Sequence, residues 1–242
     1  MTNYVMLNNV QHFNLKVTDR YSASVGDNNA AAIVFPTEFA EIQREYPIVF
    51  SKHLESNQYQ AVALLGIQKD ENLFLQENAV NANGWRGNYV PAIIARGPFI
   101  ISMPEQDDDA SAPLIFIDID SSKVNESAGE PLFLPLGGSS PYLERVAKIL
   151  GVIQQGKEVS ESMYALFDEL GLFEPLTVNI ELNNGGKFRL ENYYTISESK
   201  LGSLDGKALE RLNKSGYLQG AFLIVASLSN IQKLIDIKNS QS

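Results

Sequence analysis

Between Leu176 and Ile196 the chain reads LTVNIELNNGGKFRLENYYTI, and this stretch restricts the fold more than any other. Val178, Ile180 and Leu182 alternate with polar residues, the period of a half-buried strand. NNGG supplies the residues a tight reversal needs, and KFRLENYYTI returns. A β-hairpin is predicted, and with it a mixed or antiparallel sheet.

Further strands are predicted at IVF (48–50), QAVALLGI (60–67), NLFL (72–75), FIISM (99–103) and LIFIDI (114–119), each apolar or β-branched between turn residues. In FPTEFAEIQREYP, Pro36 suits a first helical turn, Phe39, Ile42 and Tyr46 recur at helical spacing, and Pro47 ends the run. VPAIIAR reads as a short helix stopped at Gly97-Pro98. After residue 120 helices dominate. SSPYLERVAKILGVIQQG opens with Ser140 as N-cap and Pro141 at the first helical position, and Leu143, Val146, Ala147 and Leu150 form one face. SESMYALFDELGLF predicts a second helix with Met163, Leu166, Phe167 and Leu170 on a face and Gly171 as its stop. DGKALERLNKSGYL predicts a short helix ended near Gly216. AFLIVASL (221–228) fits a strand or a buried helix, and from Ser229 the pattern is helical through Ile231, Leu234 and Ile235. The expected class is α+β: a strand-rich N-terminal half, then a helix-rich C-terminal half containing one β-hairpin. Residues 1–242 read as one domain, with 104–135 its weakest join.

A chain of 242 residues with 44% hydrophobic and 20% charged residues can bury a sizeable core. Its net charge of −10, with no basic run, argues against a nucleic-acid surface. There is no cysteine, hence no disulfide, thiolate nucleophile or sulfur-ligated metal. The start lacks a secretory pattern, and AFLIVASL is far shorter than the ~20 residues a membrane helix requires. The expectation is a cytoplasmic protein with no membrane partner and no cofactor, its oligomeric state left open.

The landmarks FPTEF, YPIVF, LLG, ENLFL, GWRGNYVPAIIARGPF, IDID, GEPLF, FRLENYYTISESKLGSL, SGYL and ASLSNIQKL occur in this order. As an ordered set, over roughly residues 30 to 237, they resemble the SapC family. The resemblance implies a bacterial protein, often encoded beside flavin-dependent tryptophan-halogenase-like proteins, cupin or JmjC-like 2-oxoglutarate oxygenases and TonB-dependent receptors. It carries no agreed reaction and no catalytic residue to transfer. By association it implies an accessory role in peptide modification or uptake.

NGWRGNYVPAIIARGPF (83–99) holds the single tryptophan. Trp85, Arg86 and Tyr89, with Arg96 further on, are candidate binding residues, since indole and guanidinium concentrate binding energy. The competing role is structural: Trp85 pinned to the core, Gly84 and Gly87 at positive φ. That role is favoured for Trp85, which leaves Arg86 as the better contact. In IDID, Asp118 and Asp120 alternate on a strand and would face one side, as a cation or acid/base pair. A plain solvent face opposite Ile117 and Ile119 is the favoured account. The loop PEQDDDASAP lacks the ligand spacing of a calcium loop. His12 and His53, the only histidines, fall in no metal motif, and no G-x-S-x-G elbow appears. LGGSSP (136–141) reads as a helix cap. Two functional expectations follow. The first is a non-catalytic protein that recognises a peptide or a partner enzyme. The alternative is a metal-assisted enzyme using Asp118 and Asp120.

Overall fold

A computed structural model describes residues 2–53, 55–76, 83–102 and 113–241. Along the chain come β1 (Tyr4–Met6), β2 (Lys16–Val17), β3 (Ala31–Ile33), α1 (Phe39–Ile42), β4 (Ile48–Lys52), β5 (Tyr59–Leu64), α2 (Ala92–Ala95), β6 (Phe99–Ser102) and β7 (Leu114–Asp118). Then follow β8 (Val124–Asn125), β9 (Glu130–Pro131), α3 (Pro141–Glu169), β10 (Phe173–Glu181), β11 (Lys187–Ile196), α4 (Glu198–Gly202), α5 (Gly206–Lys214), α6 (Tyr217–Ser227) and α7 (Asn230–Ser240). The fold is α+β, and every strand pairing is antiparallel.

The main sheet has five strands in the order β10-β11-β4-β5-β3. Its hairpin β10–β11 turns at NNGG as predicted, with Leu182 N–H donating to Gly186 O (2.8 Å) and Gly185 at φ +84°. Aromatic side chains lock the inner face: Phe50 meets Phe173 and Tyr164 edge to face at 4.9 and 5.2 Å. A second sheet, β1-β7-β6, and the small β8-β2-β9 sheet enclose a separate apolar cluster around Val17, Phe99, Ile117 and Leu132.

Helix α3 joins the two. Ser140 caps it by accepting from Leu143 N–H, and Pro141 is its first residue, as expected. It does not break into two helices, however. All 29 residues, about 43 Å of helix at 1.5 Å each, run unbroken. Tyr142, Leu143, Val146 and Leu150 pack into the N-terminal cluster, and Met163, Tyr164 and Phe167 into the main core. Between them Gly156 is buried against Phe35, where a Cβ would overlap the Phe35 Cβ and lie 2.7 Å from Thr37 Oγ1. The glycine that looked like a helix end is a contact point.

Other expectations need correction. NLFL is a turn, because Asn72 Oδ1 accepts the Phe74 N–H (3.0 Å) and diverts the backbone from a ladder; only Leu75 bridges, to Trp85. Of the two readings left open for AFLIVASL, the helix is the one found, residues 221–227 lying in α6. Through α7 it forms a run, Tyr217–Ser240, long and apolar enough by length and composition to cross a membrane, which the short apolar stretch did not foretell. The run is partly buried, through residues such as Ala221, Ile224 and Leu234. The acidic loop 104–113 lies outside the described residues apart from Pro113.

Two glycines of α3 test this packing. Gly156→Ala forces the helix off Phe35 and is expected to destabilise by about 1–3 kcal/mol. Gly151, with no atom within 4 Å of an added Cβ, is expected to gain up to about 1 kcal/mol on Gly151→Ala. Urea denaturation of both variants checks the opposite signs.

Candidate functional site

The stretch 83–98 is fastened to residues on either side of α1. Trp85 is fully buried, edge-on to Tyr21 at 5.5 Å and stacked with Phe74 at 6.1 Å. Its indole N–H donates to the Tyr46 hydroxyl (2.9 Å), which donates to the Tyr89 carbonyl (2.5 Å). Gly84 takes φ +84°, as expected. Gly87 does not; its absent side chain admits the Glu45 carboxylate and the Tyr46 hydroxyl, which a Cβ would strike.

Two buried carboxylates hold the rest of the stretch. Glu45 accepts from the Asn88 N–H (3.0 Å) and side-chain amide (2.6 Å). Glu38, 2% exposed, accepts from Phe35 N–H, Ala92 N–H and the Tyr89 hydroxyl at 2.9–3.2 Å. Burial raises the Glu38 carboxyl above the ordinary carboxylate range, outweighing those three hydrogen bonds. Burial also drives the Tyr89 phenol upward, and the Glu38 carboxylate adds to it.

This fastening sets α2 and Gly97-Pro98 in place as one wall of a cleft of about 410 Å³ between the two sheets. Ile93 and Ile94 line that wall, and β3 lines the wall across from it in the main sheet. Asp118, the last residue of β7, Ser121 and Lys123 beyond it, and Asp27, just before β3, add to the lining. Lys123 Nζ lies 2.9 Å from both Asp27 oxygens and 4.8 Å from the Tyr21 ring, with both charged side chains almost buried. Larger hollows flank Tyr59, at about 500 and 740 Å³, but no buried ion pair lines them.

The edge of β3 is the cleft's main chemical resource. Leu65 N–H donates to Ala30 O (2.7 Å) and Val34 N–H to Ala61 O (3.1 Å), while Ala32 faces Ala63 between them. In an antiparallel ladder bonded pairs alternate, so residues 30, 32 and 34 turn to β5 while Ala31 and Ile33 turn outward. Among the described residues, no group bonds the N–H or C=O of either.

None of the four sequence-derived binding residues lines this cleft. Trp85 presents no surface, and the contact role considered for it gives way to the anchoring one. Arg86 is half-buried and donates to Gln76 Oε1 (3.2 Å). Tyr89 is engaged by Glu38, and Arg96 Nη1 donates to the Phe99 carbonyl (2.6 Å). The Asp118/Asp120 pair is also corrected. Strand β7 ends at Asp118, so the alternation stops there; Asp118 is buried at 9% exposure, while Ile119 and Asp120 are exposed in a turn. Asp118 Oδ1 accepts from Asn3 N–H (2.8 Å) and Asp120 N–H (3.3 Å). Among the described residues, no three His, Asp or Glu side chains come together as a metal site.

Residues 7–234 match the SapC family. The chain belongs to the SapC family. Neither a curated protein nor a solved structure matches it. In this SapC chain the dense GWRGNYVPAIIARGPF landmark is thus a built support: its first half is core, and its second half is a wall of the cleft.

Glu38 is the fastening whose removal reads most clearly. Glu38→Ala leaves two buried N–H groups and a phenol without their acceptor and is expected to cost on the order of 3 kcal/mol. Glu38→Gln should cost less and cannot ionise. Because the folded-state carboxyl is raised, its contribution is full below the ordinary carboxyl value and is lost as pH rises through the raised one. Glu38→Gln should therefore gain on the parent protein as pH increases from about 4 to about 7, in denaturant titrations across that range.

Proposed function

We propose that the protein is a non-catalytic binding protein that takes up an extended peptide segment, of a partner enzyme or of that enzyme's substrate, along the edge of β3. The observation that carries this reading is the outward pair of N–H and C=O groups at Ala31 and Ile33, opening into a cleft with an apolar wall. Adding a strand to an open edge is a general mode of peptide recognition, with main-chain bonds for affinity and flanking pockets for choice.

Magnitudes limit what the backbone can do alone. Four hydrogen bonds at about 1 kcal/mol each reach only millimolar affinity. Contact with Ile33, Ile93 and Ile94 must supply the remainder for micromolar binding. A short, adaptable groove of this kind suits an accessory role in the cytoplasm beside peptide-modifying enzymes, which is what resemblance to the SapC family implies.

Panning the full chain with phage-displayed linear random heptapeptides tests the reading. Selected sequences should be extended and rich in β-branched residues. Ile33→Pro removes an outward N–H and should stay folded, because proline is tolerated where an edge strand faces away from its ladder. It should weaken capture at least about tenfold, whereas Ile33→Ala should retain most of it. Ala32→Pro, which breaks the bond to β5, should unfold. Undiminished capture by Ile33→Pro would sink the proposal.

A further inference from the structure

Asp118 gives the cleft a chemical preference. Its carboxylate is nine-tenths buried, at 9% exposure, and it lines the cleft. Both N–H groups that reach it, from Asn3 and Asp120, bond the same oxygen, Oδ1. Among the described residues nothing hydrogen-bonds Oδ2. That oxygen is not shut away from solvent, so it is open to a donor that enters the cleft.

The other charges of the cleft do not complete it. Lys123 is held by both oxygens of Asp27 at 2.9 Å, and no ion pair links it to Asp118. Asp27 and Lys123 cancel, so among the described residues the cleft lining carries one uncompensated negative charge, in a chain of net charge −10. Both the local and the overall field favour a cation there.

We infer that the peptide received along β3 carries a basic residue whose ammonium or guanidinium donates to Asp118 Oδ2. This rests on the strand-addition reading and goes one step further, naming the class of segment: an extended apolar strand with one lysine or arginine. Such a pair in a recessed site is a charge-assisted hydrogen bond, stronger than a neutral one and selective against acidic sequences.

The same heptapeptide library, panned against the full chain and against Asp118→Asn, separates the two levels. The substitution keeps an Oδ1 acceptor for Asn3 and Asp120 and replaces the anionic Oδ2 with a neutral amide donor; its melting temperature should stay near that of the parent. The parent should enrich lysine or arginine at one position, and Asp118→Asn should lose that enrichment while still selecting apolar, β-branched sequences. For one selected peptide, exchanging its basic residue for glutamine should weaken binding to the parent on the order of 30-fold and to Asp118→Asn hardly at all. Enriched peptides with no basic preference, or a preference that survives Asp118→Asn, would overturn this inference while leaving strand addition standing. No enrichment at all would overturn both.

Discussion

An unbroken α3 is the constraint on which the rest of the structure depends. One helix supplies side chains to the N-terminal apolar cluster, crosses Phe35 at Gly156, and continues into the aromatic core of the main sheet. The five-stranded main sheet and the smaller N-terminal sheets are thereby given a common back wall. Packing at that crossing has no slack, since interiors transmit a single methyl group's displacement to their neighbours. Where the two bodies meet on the side away from such packing, the chain leaves a cleft. The ion pair between Asp27 and Lys123 then fastens the segment before β3 to the segment after β7 across it. A buried pair of this kind contributes little net stability, but losing one partner is expensive, so it fixes position more than it adds energy.

Much of the architecture was legible because it is written in local signals. The alternation at Val178, Ile180 and Leu182 and the glycines after them set the hairpin, and Ser140-Pro141 set the start of α3. What escaped was decided at a distance. QQGKEVSES between the two apolar faces of α3 looks like a break, because glycine and serine weaken an isolated helix. Only the approach of Phe35, more than a hundred residues earlier, makes Gly156 the residue the helix needs there. NLFL failed for the opposite reason: a side chain two residues from Phe74 outcompeted the ladder. Asp118 and Asp120 failed because a period-two pattern does not reveal where a strand stops.

The site was legible only in outline. A lone tryptophan beside glycines points to an anchored loop, and Trp85 is one. That the loop holds Ile93 and Ile94 in the wall of the cleft follows from Glu38 and Glu45, two glutamates flanking α1 with no sequence mark of burial. Asp27 sits in a run that reads as a plain turn and Lys123 in a polar stretch, 96 residues apart. No single-sequence pattern joins them.

The two edges of the main sheet sharpen the functional argument. β10 is the long edge, and it is defended: Pro175 removes a donor, a register shift between Leu176 and Val178 distorts the ladder, and Glu174 and Glu181 sit near its ends. These are the usual devices against unwanted pairing. β3 has none of them. Its three residues are two alanines and an isoleucine at 40% exposure, with no proline, no bulge and no charge. An undefended edge on open surface would be an aggregation hazard, but this one shares its cleft with α2 and the end of β7. A single extended chain can enter. On the strand-addition proposal, recession would exclude the wrong partners while leaving the backbone groups of Ala31 and Ile33 available to the right one, and the absence of defence is what a peptide-receiving edge would require.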